Sequence, residues 1–276
     1  MKVSLKTMKK YSIIPGFQTS ITITILYSLA VVVLPLLGLF IVTTKIGFAE
    51  FLHIVTEPRL LHAYKISFGC ALIASCINVV FGTILTWSLV RYNFFGKKII
   101  DAMIDIPLVL PTAVAGIALT VLYAPNGWIG KHLSLKIAFG PLGIIIALVF
   151  IGLPFVVRTL QVVLEDFDKE VEEAAESLGA NRFQIFVRII IPHVTTALLT
   201  GFSMAFVRSL GEYGSVVFIS GNMPFISEAV PLMIMMKLEQ YDYSAATAIA
   251  IVMLTTSFAI LLLINYFQKL NYDKAR

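Results

Sequence analysis

Charge is scarce in this chain of 276 residues: 13% are charged and 58% are hydrophobic. An ordinary soluble domain carries about twice that share of charge. Cysteine is scarcer still, with two residues. Cys70 and Cys76 lie six apart, off a common helical face, and read as buried structural thiols rather than a disulfide or a metal site. Histidines 53, 62, 132 and 193 are scattered without metal-ligand spacing, and no hydrolytic triad or carboxylate dyad stands in register. No phosphate-binding Gly-x4-Gly-Lys-Ser/Thr segment occurs, because Gly96-Lys97-Lys98 and Gly130-Lys131-His132 lack both the spacing and the hydroxyl. The chain therefore has no candidate catalytic or metal-ligating residues, and any nucleotide chemistry must come from elsewhere. Alternating segments of about 10 residues are missing too, which excludes a membrane β-barrel.

What is present is a series of long apolar runs. A hydrocarbon core of about 30 Å takes about 20 helical residues to cross, and in lipid the backbone must satisfy itself, so such runs become helices. Six spans are expected: Ile21–Val42, Ile66–Val90, Ile104–Tyr123, Leu142–Val157, Val194–Ile219 and Ala245–Phe267. The expected class is all-α and polytopic, with a polar segment 1–20, a membrane domain 21–267 and a tail 268–276. Lysine and arginine set the orientation. One side collects fourteen of them, among them Lys2, Lys6, Lys9, Lys10, Arg91, Arg158, Arg182, Lys274 and Arg276. The other side holds Lys45, Arg59, Lys65, Lys131, Lys136 and Lys237, and Arg208 alone falls inside a span. Both termini are thus expected on the cytoplasmic or stromal side. The net charge of +5 follows from this topology rather than from a nucleic-acid surface. The first apolar run is too long for a cleaved signal and reads as a signal anchor.

Residues 165–192 interrupt the apolar pattern with seven carboxylates and cannot cross lipid. Val171, Ala174, Ala175 and Leu178 nevertheless recur at helical spacing, with Glu170, Glu172, Glu173 and Glu176 on the other face. Asp168 is the expected N-cap, Gly179 the left-handed terminator, and Asn181 with Gln184 the capping box of a second helix. That second helix has its own stripe of Phe183, Phe186, Val187 and Ile190. Two readings stay open: a hairpin lying on the protein's own polar face, or a rigid element offered to a partner.

The positions Glu173, Ala174, Ala175, Gly179, Ile189 and Pro192 resemble the EAA loop of ABC importer permeases, with Ile191 where that family usually has leucine. The resemblance implies a type I permease architecture. It also implies that this loop is a coupling helix seated in a cleft of an ATP-binding subunit.

Farther on, Arg208 and Glu212 stand one helical turn apart at membrane depth, where charge is costly and by default functional. Gly211 and Gly214 permit close helix contact or a local break. The pair is either a clamp between helices or the source of positive potential for an anion path made with Tyr213 and Ser215. The run Gly211-Glu212-Tyr213-Gly214-Ser215 through Asn222-Met223-Pro224 resembles the permeases of the sulfate and molybdate group, and within it the T-type sulfate/thiosulfate subunits. Asp105-Ile106-Pro107, Pro111-Thr112 and Tyr241-Asp242-Tyr243 fit the same pattern. This implies sulfate as cargo, with thiosulfate as a second anion and molybdate or another oxyanion as the alternative. Implied partners are two ATP-binding subunits, a second similar permease and a soluble sulfate-binding protein. ATP would be bound by a partner subunit, and no cofactor by this chain. The implied setting is a bacterial inner membrane or a plastid envelope. An ATP-independent secondary transporter, the competing class, would leave the Glu-Ala-Ala loop without a partner. Pro107, Pro111 and Gly116 suggest an irregular third span, and residues from Glu228 to Leu238 suggest a short outer helix.

Overall fold

Apolar side chains placed on uninterrupted helical backbone give this chain its architecture, and the computed structural model describes residues 16–274. The N-terminal basic cluster Lys2, Lys6, Lys9 and Lys10, and Arg276 at the other end, lie outside the described residues. Among the described residues there are helices and no strands. In chain order they are α1 (Phe17–Thr44), α2 (Phe48–Val55), α3 (Pro58–Arg91), α4 (Lys97–Val109), α5 (Thr112–Tyr123), α6 (Pro141–Glu165), α7 (Lys169–Ser177), α8 (Arg182–Leu210), α9 (Gly214–Ile219), α10 (Val230–Glu239) and α11 (Tyr243–Lys274). Five of them (α1, α3, α6, α8 and α11) are long and apolar enough to cross a membrane unbroken, and α4 with α5 makes a sixth, bent crossing.

The core of the bundle is α3 packed along α6 and α8. Small residues let these backbones approach, since helices in lipid associate by close packing rather than by the hydrophobic effect. The buried face of α3 carries Ala63, Ser67, Ala71, Ala74, Ser75, Asn78 and Gly82. A Cβ at Gly82 would lie 3.0 Å from Val156 of α6, and one at Gly201 of α8 would lie 3.0 Å from the same residue's Cα. Leu60, Ile144, Leu148, Phe206, Met233 and Ile249 fill the core. Helix α11 covers α8 and α10, and α1 rests on α11 with its apolar surface outward. Hydroxyls in α1 donate to their own helix: Thr22 to the Gln18 carbonyl at 2.8 Å and Thr24 to that of Ser20 at 2.9 Å. Their polarity therefore does not oppose burial in lipid.

Two of the expected spans are broken where the sequence allowed it, and one cysteine reading needs correction. The expected span Ile104–Tyr123 bends by 112° between α4 and α5. Pro111 forces Leu110 into extended backbone at ψ 135°, as the residue before a proline requires. The expected span Val194–Ile219 is also interrupted, with α8 ending at Leu210 and α9 starting anew at Gly214. Finally, Cys70 is buried but Cys76 is exposed, because six residues turn the second thiol onto the outer side of α3. The short outer helix is present as α10, and Asp242 caps α11 by accepting from the Ala245 amide at 3.0 Å.

Candidate coupling helix and membrane-embedded charge pair

The polar break folds as its caps dictate. Asp168 accepts from the Glu170 amide at 3.0 Å and starts α7. Gly179 ends it at φ +87° with nothing within 4 Å of a would-be Cβ, so backbone conformation rather than space selects glycine there. Asn181 and Gln184 exchange side-chain-to-backbone hydrogen bonds at 2.9 Å and start α8. Over Phe186–Ile190 the helix widens into a π turn just ahead of Pro192, whose ring nitrogen cannot donate to the preceding turn.

The orientation of α7 could not be read from periodicity. Glu172, on the acidic face opposite the apolar stripe, points back into the protein and pairs with Arg91 at the end of α3. Ala175 and Ile189 pack against a small core made by Leu160, Leu164, Phe167, Ile185 and Ile190. The rest of the apolar stripe faces away from the protein. Leu178 is 89% exposed and Phe183 74% exposed, with Val171, Ala174 and Val187 exposed beside them. Glu173 is exposed on the same helix, and Gly179 lies at its tip. A rigid helix held between two spans thus presents an unpartnered apolar surface outside the apolar bundle.

The second candidate site lies farther along α8, about 24 Å from Pro192 at 1.5 Å per residue. Glu212 sits in the gap between α8 and α9, and its side chain is 2% exposed. Its carboxylate accepts from Arg208 Nη1 at 2.6 Å, from the Ser215 amide at 2.9 Å and from Ser215 Oγ at 3.1 Å. It thereby caps α9 as well as neutralising Arg208. The Arg208 side chain is 35% exposed and Tyr213 is similarly open, whereas Ser215 is fully buried. Of the four residues proposed for an anion path, Arg208 and Tyr213 reach open space, and Glu212 and Ser215 lie beneath them. The gap is held by backbone-to-backbone contact. A Cβ on Gly116 of α5 would fall 2.5 Å from the Ser215 carbonyl oxygen, and one on Gly214 would run into Thr112 Oγ1.

Sequence reasoning missed two arginines, Arg91 and Arg158, because it used both only to assign topology. Arg158 of α6 donates to Asp105 at 2.9 and 2.7 Å and to Asp101 at 2.5 Å, tying α4 to the core. The Asp101 and Asp105 spacing of i, i+4 was the available signal. At the opposite end of α3, Arg59 makes a two-pronged contact with buried Glu228 at 2.7 and 2.6 Å.

An apolar helical bundle with a broken, charged helix within it and a capped amphipathic helix exposed outside it has the form of a membrane transport component. The chain belongs to the family described as "Binding-protein-dependent transport system inner membrane component", which matches residues 78–276. It is 45% identical over 267 residues to the sulfate transport system permease protein CysT of a Synechocystis strain, covering 96% of this chain and 93% of that one. The protein of the same name in Escherichia coli is 42% identical over 259 residues, covering 93% and 94%. A chain named "Probable sulfate transport system permease protein cysT" in Mesostigma viride is 49% identical over 252 residues, covering 90% and 94%. The fold matches a bacterial alginate ABC transporter at TM-score 0.75 and 16% identity, covering 90% of this chain and 92% of that one. It also matches the methionine ABC transporter MetNI at 0.62 and 13%, covering 78% and 99%.

Proposed function

We propose that this chain is the membrane-spanning permease subunit of an ATP-driven importer that carries sulfate, with thiosulfate as a second cargo. The observation that carries the substrate assignment is its identity of 42 to 49% with sulfate permeases over 90% or more of its length. The coupling role rests on α7, whose exposed apolar stripe is a ready contact surface. The assembly comprises a second, similar permease, two ATP-binding subunits that bind and hydrolyse the nucleotide, and a soluble sulfate-binding protein. The site is a plastid envelope or a bacterial inner membrane, with both termini and α7 on the cytoplasmic or stromal side.

In this mechanism ATP draws the partner subunits together, and their clefts carry α7 with them. Because α7 continues into α6 on one side and α8 on the other, both spans tilt and the path opens outward. Sulfate then passes Arg208 and Tyr213, where a positive guanidinium faces the anion while Glu212 and Ser215 hold it from behind. No covalent step belongs to this chain. ATP need only change the relative free energies of two arrangements of the same helices. A molybdate or other oxyanion permease has the same architecture, and one experiment separates them. Cells lacking only this gene should lose uptake of labelled sulfate, and the restored uptake should resist equimolar molybdate. Uptake that persists without the gene, or that molybdate abolishes, contradicts the proposal.

A further inference from the structure

Helix α3 has no chain connection to α7, yet an ion pair ties the two together. Arg91, the last residue of α3, reaches Glu172 of α7 across 81 residues of sequence and forms an ion pair with it. Its side chain is 9% exposed. The guanidinium lies 5.5 Å from the centre of the Trp87 ring and 5.7 Å from that of Phe167. Phe167 belongs to the turn that enters α7. Trp87 meets Phe186, on the stretch that leaves α7, edge-on at 5.7 Å. Stacking on two rings while bonding a carboxylate uses the planar, delocalised cation of arginine, which lysine cannot reproduce. Around this strap α7 stands off from the body over a charged cavity of about 320 Å3, lined by Glu173, Glu176 and Arg182 among others.

The other end of α3 is pinned in the same way. With 34 residues, α3 is a rod about 50 Å long, and Arg59 near its start grips Glu228, whose side chain is 1% exposed. Glu228 lies in the segment between α9 and α10, with α9 separating that segment from the Arg208–Glu212 break. The Val230 amide in turn donates to Ser67 of α3 at 2.8 Å.

We infer that Arg91 is a positioning residue for energy coupling: it makes α3 follow α7, so that movement imposed at α7 is delivered along α3 to the far loop that holds Glu228. This rests on the reading of α7 as the element moved by an ATP-binding subunit. It adds a third rod, joined without chain continuity, to the two that sequence alone connects to α7. Docking itself uses the opposite face, at Val171, Ala174 and Leu178, so that coupling and docking can be separated by mutation.

The test uses the whole importer in membranes and measures sulfate uptake per ATP hydrolysed, with copurification of the ATP-binding subunit as the assembly control. Arg91→Gln should retain the ATP-binding subunit and its hydrolysis while uptake per ATP falls about tenfold, within the usual span of coupling free energies. Arg91→Lys should fall between the two. Exchanging the partners, Arg91→Glu with Glu172→Arg, should recover part of the lost ratio, which a general loosening of the fold would not do. Wild-type uptake per ATP in Arg91→Gln overturns the inference. If that variant fails to assemble, Glu172→Gln leaves the arginine stacked between its rings, and unchanged coupling there overturns the inference equally. A wild-type complex that transports with no contact between α7 and the ATP-binding subunit removes the parent reading, and this inference with it.

Discussion

Arg208 and Glu212 can be told apart as a structural clamp or as part of an anion path by neutralising them together. Replacing Arg208 alone by glutamine leaves the Glu212 carboxylate, 2% exposed, with only the two Ser215 donors. Arg208 is 35% exposed, so solvent screens the pair, and stranding the buried carboxylate costs about 1–3 kcal/mol, a sizeable part of a net stability of about 5–15 kcal/mol. The single variant should therefore lose assembled complex, which by itself says nothing about transport. Adding Glu212→Gln removes the stranded charge. The new amide oxygen still accepts from the Ser215 amide and so keeps the cap on α9. With no charge left stranded in the buried position, the main cost of the single variant is removed, and assembly should return. Uptake should not, because the partly exposed positive charge is gone. A charged hydrogen bond contributes about 1.5–3 kcal/mol, so uptake per assembled complex should fall by about tenfold to a hundredfold. Assembled complex is measured by copurification with a tagged ATP-binding subunit, and uptake with labelled sulfate in the same membranes. If the double variant regains uptake in step with assembly, Arg208 is a clamp and the proposed path is wrong.

Two further outcomes test the local backbone. Gly179→Val puts a β-branched residue at φ +87°, a strain of about 1–2 kcal/mol; it should lower uptake while ATP hydrolysis continues, and Gly179→Asn should be milder, with equal effects counting against the left-handed requirement. Gly214→Ala drives a methyl group into Thr112 Oγ1 and should cost about 1–3 kcal/mol as overpacking. Removing that oxygen with Thr112→Ala should restore part of the assembled protein, and no restoration would refute the close approach of α5 and α9.

Much of this architecture was legible because each signal was local. The caps at Asp168 and Asn181 and the stop at Gly179 depend on neighbours two or three residues away, and all three stand where the sequence places them. The apolar runs likewise report lipid burial directly. The features the sequence left open or misread depend on contacts distant in sequence. Pro111 announced an irregular helix, but its 112° bend is set with α5 crossing α9 at Gly116 and Gly214. The outward turn of the α7 stripe follows from Arg91, which no pattern within residues 165–192 contains. Cys76 was expected inside because apolarity cannot distinguish lipid from protein as a surrounding, and a membrane helix is apolar on both faces. Of the candidate path, the sequence could name Arg208, Glu212, Tyr213 and Ser215 together. Only the fold separates the two that face open space from the two that support them.

The central claim is that α7 is the element gripped by an ATP-binding subunit, and short-range thiol crosslinking tests it most directly. With Leu178→Cys or Ala174→Cys in the assembled importer, a short bifunctional linker should join this chain to the ATP-binding subunit. Leu135→Cys, exposed between α5 and α6, should give no such product, because that connection lies at the end of the bundle remote from α7. Absence of crosslinks from both α7 positions in a complex that still couples ATP hydrolysis to sulfate uptake would contradict the account.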